Sequence, residues 1–265
     1  MIESVHKRAV ADIPIFECGE VTSTHDVAFD LLGGKSQGND FDLENRRPGD
    51  LIGAISAANQ TKGRGRRSRV WESSVGSSLL VTFIISKRPS NQMVDVANLL
   101  VAICQSIQSA KPELPEIKIK WPNDLVVGEE TIKKLGGCLT EVEERFLLVG
   151  IGINLNESSY SSDLEPIATS LREQGLEISS AELLDKIIEK YQERKDQINS
   201  EYEIWADYKA ICNTMSKKVR VDQINTSVVG IARDIAEDGA LVLELENGEQ
   251  VRILEGDVIN LRPEI

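Results

Sequence analysis

The longest apolar run in the chain spans residues 79–85 and is broken only by Thr82. It falls far short of the ~18 residues that a membrane-spanning helix needs, so it belongs in a folded core. The surrounding stretch, SLLVTFIIS over Ser78–Ser86, is apolar and β-branched at most positions and predicts a buried strand. Upstream, Thr22-Ser23-Thr24 ahead of Val27, Ala28, Leu31 and Leu32 predicts a capped helix that stops at Gly33-Gly34. Residues 35–49 read as a polar loop and 51–58 as a strand. Downstream, Met93, Val96, Ala97, Leu100, Val101, Cys104 and Ile107 recur at helical spacing, one apolar face of a long helix ending before Pro112.

Strand-like segments follow at 117–120, 125–127, 132–141 and 145–151, with a turn at Gly128-Glu129-Glu130, and helical periodicity returns over 181–211. From Val219 short strands alternate with the hairpin dipeptides Asp238-Gly239 and Asn247-Gly248, the texture of a small all-β barrel. With 265 residues there is room for one large and one small domain. The expected division is 1–215 and 216–265. The first dozen residues are expected to be peripheral, too few for a helix-turn-helix module.

Charge narrows the function. Thirty Lys and Arg against 43 Asp and Glu give a net charge of −13, the opposite of the balance a general nucleic-acid binder carries. The two histidines, His6 and His25, argue against a multi-histidine zinc site or a Ser-His-Asp triad. Cys18, Cys104, Cys138 and Cys212 contain no CxxC spacing and fit reduced, buried thiols. The opening residues have no apolar signal-peptide core. The expectation is a cytoplasmic protein, with no membrane and no nucleic-acid partner.

Four segments carry chemistry. In Gly63-Arg64-Gly65-Arg66-Arg67-Ser68-Arg69-Val70-Trp71, four arginines sit within six residues. The glycines allow close backbone approach, and guanidiniums suit phosphate or carboxylate. This is neither a phosphate-binding P-loop nor a dinucleotide fingerprint, and the plain alternative is a solvated basic loop. The loop has no apolar anchor over 63–69 and four like charges, so it is expected to be mobile until an anion binds. Lys120-Trp121-Pro122-Asn123-Asp124 places polar side chains at a turn, or is simply a turn.

Lys134, with Gly136 and Gly137 inside a strand, suggests a close backbone approach beside a cation; the alternative is a strand edge. Gly150 and Gly152, alternating before Asn154, suggest a floor without side chains, or tight packing between sheet and helix.

In this order the segments closely resemble the biotin protein ligases. The family's Ser-Thr-Asn appears as Ser23-Thr24-His25, its Gln as Gln60, and its Gly-Arg-Gly-Arg-Arg-Gly-Arg-x-Trp as residues 63–71. Lys-Trp-Pro-Asn-Asp stands at 120–124, Lys-x-Gly-Gly/Ala-x-Leu-x-Glu at 134–141 and Gly-x-Gly-x-Asn at 150–154. The tail at 230–262 resembles the family's small C-terminal β domain, and the likeness runs over roughly 14–262. Two residues depart from the pattern: His25 stands for Asn and Ser68 for Gly.

The resemblance implies an α+β fold with a mixed, mainly antiparallel sheet and an SH3-like C-terminal barrel. It implies an enzyme that uses ATP and Mg²⁺ to form biotinyl-5′-AMP and passes biotin to a lysine of a biotin carboxyl carrier protein. It leaves a homodimer open. By the same resemblance Ser23, Thr24, His25, Gln60, Gly63, Arg64, Gly65, Arg66, Trp71, Lys134, Gly136, Gly137, Gly150 and Gly152 face biotin. Arg64, Arg66, Arg67, Arg69, Lys120, Asn123, Asp124 and Asn154 face ATP. Arg66, Lys134 and Asp124 carry the chemistry, with Asp124 also on the metal and Trp71 as a lid. The competing readings are a lipoate ligase or transferase on a related fold, and a non-catalytic RNA-binding module.

Overall fold

The computed structural model describes residues 5–33, 41, 46–128, 131–158 and 160–261. The expected turn residues Glu129 and Glu130, the helix stop at Gly34, most of the 35–49 loop and Arg262 lie outside them.

Strand β4 (Ser78–Ser86) explains why its sequence is apolar on both faces. It sits fourth in an eight-stranded sheet of order β1-β2-β3-β4-β8-β7-β6-β5. The other strands are β1 (Val5–Val10), β2 (Ile13–Val21), β3 (Leu51–Gln60), β5 (Lys118–Lys120), β6 (Asp124–Val127), β7 (Lys133–Val142) and β8 (Phe146–Asn154). Helices α2 (Met93–Ala110) and α3 (Ser180–Gln197) belong to the layer on one face. There Leu79, Val81, Phe83 and Ile85 join Val149, Ile151 and Ile153 in the larger core. Helix α1 (Thr24–Leu32) covers part of the other face, where Ile84 and Leu148 join Val27 and Ala28 in a second cluster. Leu80 and Thr82 share that second face, since alternate residues of a strand point the same way.

Pairing is antiparallel throughout the sheet except between β2 and β3, which run parallel. The opening residues are peripheral, as expected, and form an element: β1 and β2 make a hairpin, with β1 the exposed edge strand. Ser23 caps α1, and Gly33 closes it on the Phe29 carbonyl. The periodicity over 181–211 resolves into two helices, α3 and α4 (Glu201–Ala210), because Ser200 starts a new cap by accepting from the Glu203 N–H.

Helix α2 has the length and composition to cross a bilayer, an exception to the absence expected from the run at 79–85, but 72% of it is buried in the protein. Its few polar residues are partnered there. Asp95 meets Arg88 at 2.8 Å, and Asn98 accepts from Arg194 at 2.8 Å.

The tail forms a second, five-stranded antiparallel sheet of order β12-β11-β10-β9-β13. Its strands are β9 (Lys218–Asp222), β10 (Ser227–Ile235), β11 (Leu241–Glu244), β12 (Gln250–Ile253) and β13 (Asp257–Asn260). Gly239 and Gly248 take the left-handed backbone, φ +85° and +81°, that their hairpin turns require. Val219, Val221, Leu241 and Leu243 belong to the same buried cluster as α2 and β4, so one core runs through both sheets.

Candidate active site

The parallel pair sets the site. Val21 and Gln60 are register partners at the carboxyl ends of β2 and β3. The chain leaves β2 into Ser23-Thr24-His25 at the start of α1, and Gln60 ends β3 beside it. The Thr24 N–H donates to Gln60 Oε1 at 2.8 Å, and Thr24 Oγ1 lies 3.0 Å from the same oxygen. Residues 36 apart in sequence thus meet because two strands point the same way.

A cavity of about 580 Å³ opens there, within the usual size of a small-molecule site. Its floor comes from β7 and β8. Gly137 and Gly152 are register partners, and Asp124 on β6 pairs with Gly137 in turn. Each glycine makes room for a neighbour. A Cβ on Gly150 would lie 2.2 Å from His25 Cε1, and one on Gly152 would lie 2.6 Å from Trp71 Cε2. Tight packing against a helix residue is therefore the role of Gly150, and the glycine floor is covered by two rings rather than bare. Trp71 is half-buried against the cavity wall.

At the far end Lys134 Nζ lies 2.6 Å from Asp124 Oδ1. Asn123 donates to the Cys138 carbonyl at 2.5 Å and accepts from Arg66 at 3.1 Å. The turn bearing these residues is held from behind: the Trp121 indole donates to the Gly239 carbonyl at 2.9 Å, and the Tyr208 hydroxyl donates to the Pro122 carbonyl. Burial pushes the Lys120 ammonium below its ordinary value, against an opposing pull from Asp124. Burial pushes the Cys138 thiol up to about 12, which makes it an inert wall residue.

The basic loop is a small closed hairpin. Gly65 N–H donates to the Arg69 carbonyl at 2.8 Å and Trp71 N–H to the Gly63 carbonyl at 3.1 Å. Its arginines do not simply repel one another, as the bare sequence suggests, because each has a partner. Arg64 meets Asp26 at 3.1 Å and Glu141 at 3.4 Å, and Arg66 meets Asn123. Arg67 and Arg69 both meet Asp257 on β13, and Arg67 also donates to the Asp222 carbonyl. Arg67 and Ser68 have φ of +54° and +60°. That left-handed backbone favours glycine, so Ser68 carries a backbone cost that a glycine there would not.

His25 is buried, with 4% exposure. Burial, the largest influence, lowers its pKa; Glu141 opposes this, Arg64 adds to it, and Asp26 and the Leu148 carbonyl oppose it. Its Nδ1 lies 3.0 Å from Thr82 Oγ1.

Comparison with known proteins fits this architecture. Residues 45–157 match the Biotin/lipoate A/B protein ligase family, and residues 217–259 match the Biotin protein ligase C terminal domain. The biotin–[acetyl-CoA-carboxylase] ligase of Mycobacterium tuberculosis is 30% identical over 251 residues, 91% of this chain and 88% of its own. The chain belongs to the biotin protein ligase family.

Bifunctional ligase/repressor BirA of Bacillus spizizenii is likewise 30% identical, over 86% of this chain and 72% of its own. Among solved structures, the biotin protein ligase of Aquifex aeolicus in complex with biotin and ATP is similar with a TM-score of 0.67 at 27% identity, covering 94% of this chain and 98% of that one. A point mutant of the same protein in complex with biotin gives a TM-score of 0.72 at 25% identity over the same shares.

The cavity brings together most residues singled out from sequence: Ser23, Thr24, His25, Gln60, Arg64, Gly65, Arg66, Arg69, Trp71, Lys120, Asn123, Asp124, Lys134, Gly137, Gly150, Gly152 and Asn154. Three do not line it. Gly63 packs under the Trp71 carbonyl, Gly136 packs under the Gly152 carbonyl, and Arg67 is turned to β13. Asn154 lines the cavity, yet its amide donates to the Thr169 carbonyl at 3.0 Å and so fastens a segment across the floor.

That segment is the wall that sequence reading missed. Tyr160, Leu164, Ile167 and Ala168 reach the cavity because the chain here bonds to both backbone groups of Lys134. Its only sequence signal is apolar spacing within a polar stretch. Asp257 was also missed, as an ordinary acid in an acidic tail.

Proposed function

We propose that this chain is an ATP-dependent ligase that activates biotin as biotinyl-5′-AMP and transfers it to a lysine of a biotin carboxyl carrier protein. One observation carries the reading: a single cavity joins a neutral polar end at Ser23, Thr24 and Gln60 to a charged end at Arg66, Asp124 and Lys134. Biotin has the same polarity, a neutral ureido ring at one end and a carboxylate at the other. Leu80 and Leu139 add apolar lining.

In the first step a carboxylate oxygen of biotin attacks the α-phosphorus of ATP, and the bond to pyrophosphate breaks. Negative charge grows on the phosphoryl oxygens and the leaving group. Arg64, Arg66 and Lys134 meet that charge, and a positioned cation stabilises it more in the transition state than in the ground state. Lys134 is half-exposed and held by Asp124, so its ammonium is aimed before the substrates arrive. In the second step the carrier lysine amine attacks the acyl carbon, and AMP leaves with the bonding electrons. Asp124 is placed in this reading to orient that amine. Trp71 and the 63–70 hairpin shield the anhydride from water.

The residues present fit a magnesium ion held mostly by nucleotide phosphates. Among the described residues no group of three or more His, Cys, Asp or Glu side chains is gathered for a metal, whereas nucleotide-bound Mg²⁺ needs only one or two protein carboxylates. Asp124 is the one we assign. The ion supplies charge neutralisation on the phosphates.

The division into a catalytic unit, 1–215, and a C-terminal unit, 216–265, belongs to the same proposal. So does a cytoplasmic location, where the four free, buried cysteines would stay reduced. The deciding experiment is biotin-dependent exchange of pyrophosphate into ATP, followed by labelling of a carrier domain. Activity with lipoate in place of biotin would select the lipoate reading, and no activity with either would overturn both. RNA binding is disfavoured by the net charge of −13.

A further inference from the structure

The neutral end of the cavity holds a hydrogen-bond chain whose proton order is fixed by one backbone group. The Thr24 N–H can only donate, so the Gln60 atom 2.8 Å away is its carbonyl oxygen. Thr24 Oγ1 lies 3.0 Å from that oxygen, and its single proton is spent there. Thr82 Oγ1 lies 2.8 Å from Thr24 Oγ1 and must therefore donate to it. His25 Nδ1, 3.0 Å from Thr82 Oγ1, meets a hydroxyl whose proton is already used, so Nδ1 itself carries a proton. Burial keeps the imidazole neutral near pH 7, so Nε2 is bare.

We infer that Thr82 is a positioning residue for biotin recognition, acting with His25 in its Nδ1–H tautomer through Thr24 on Gln60. The inference rests on the biotin reading above. Thr82 itself is fully buried in β4 and does not line the cavity. The order runs His25 to Thr82 to Thr24 to Gln60, each group donating to the next. The Thr24 N–H pins the Gln60 amide in one orientation and leaves its nitrogen as the donor available to a ligand, while Thr82 and His25 hold the Thr24 hydroxyl on the same Gln60 oxygen. Ser23 Oγ accepts the His25 N–H at 3.3 Å, which leaves its own proton to donate as well. This end of the site therefore offers donors, and it suits the carbonyl oxygen of a ureido group. Gly150 belongs to the device. It is the register partner of Thr82, and only a residue without a side chain lets the imidazole reach that hydroxyl.

The test has two arms. Long-range ¹H–¹⁵N spectra of the whole protein read the His25 tautomer directly, without ligand. The Nδ1–H form is expected. An Nε2–H form would overturn the proton order. The second arm measures biotin affinity and ATP KM for Thr82→Val and Thr82→Ser. Thr82→Val, nearly the same in shape, is expected to weaken biotin about tenfold and to shift ATP KM by less than about twofold, with a changed His25 spectrum; Thr82→Ser is expected to stay near wild type. Wild-type affinity in Thr82→Val, or equal losses in both variants, would reject the role. Should Thr82→Val fail to fold, the wild-type spectrum and Thr82→Ser still decide. A wild-type protein that does not bind biotin would end the biotin reading, and the tautomer spectrum would still judge the chain of donors.

Discussion

Lys134 and Asp124 meet 2.6 Å apart above Gly137, whose missing side chain leaves room for both: a Cβ there would lie 3.1 Å from Asp124 Oδ1 and 3.3 Å from Lys134 Nζ. The pair is partly exposed, so its contribution to stability is small, ~0–1 kcal/mol. In the proposed reaction its geometry serves the ligand instead. Lys134→Ala is expected to cut adenylate formation by ~100-fold or more while the melting temperature moves little. Pyrophosphate exchange and thermal denaturation on the same samples check both halves, and wild-type exchange would remove Lys134 from the mechanism.

Asp257 holds both Arg67 and Arg69, and in the proposed function it competes with nucleotide for Arg69. Asp257→Asn should speed amide exchange over 63–70 in the free protein. It should also lower ATP KM by ~2–5-fold, because a surface ion pair of ~0.2–1 kcal/mol no longer has to be broken. In the wild type, exchange over this hairpin should slow when biotin and ATP are added. Equal protection with and without ligands would count against a closing loop.

The left-handed backbone at Ser68 makes a signed prediction. Ser68→Gly removes a cost of ~1 kcal/mol in the hairpin, partly offset by the entropy glycine adds to the open form. Ser68→Val, β-branched, raises that cost. Hydrogen exchange of the hairpin should therefore show Ser68→Val opening more readily than wild type and Ser68→Gly no more readily. The reverse order would mean the hairpin does not hold this conformation in solution.

His25 ties stability to pH. Its folded pKa lies below the ordinary 6.5, so between the two values the unfolded chain binds more protons. Stability is fully present above about pH 6.5 and falls as the pH drops toward the folded pKa. His25→Asn removes that component. Across about pH 7.5 to 5 the wild type should lose more melting temperature than His25→Asn, and biotin affinity should weaken with acidification only in the wild type. Parallel pH profiles for the two proteins would show that His25 does not titrate through folding.

The shared core predicts what happens when the tail is cut. Removing 216–265 exposes apolar partners of Val219, Val221, Leu241 and Leu243 and strips the Gly239 carbonyl from Trp121. The truncated chain should unfold at a markedly lower temperature and lose carrier biotinylation together with AMP release. A stable truncation active in both steps would contradict this.

Much of this was legible in residue order, and the exceptions have physical causes. Residues 78–86 declared a strand with two buried faces, and the basic loop and Lys-Trp-Pro-Asn-Asp declared a site. What linear order hides is adjacency. The meeting of Thr24 and Gln60 depends on the parallel pairing of β2 with β3, and no local pattern encodes strand direction. Thr82 interrupts an apolar run, and a hydroxyl bonded to two buried side chains is spelled like one bonded to nothing. The break between α3 and α4 hid inside continuous helical periodicity, visible only through the cap at Ser200. The wall at 160–168 is recruited by the backbone of Lys134, and backbone bonding leaves no mark on residue identity.

The glycines of β8 impose a direction on how this sequence can drift. Two pairs are coupled in one direction: position 150 can grow only if 25 shrinks, and position 152 only if 71 does. The outer members can shrink without a clash, as with an asparagine in place of His25. The strand members cannot grow, since even one methyl group would collide with a ring already seated. Descendants of this chain can therefore explore what binds against the sheet long before they can alter the sheet beneath it.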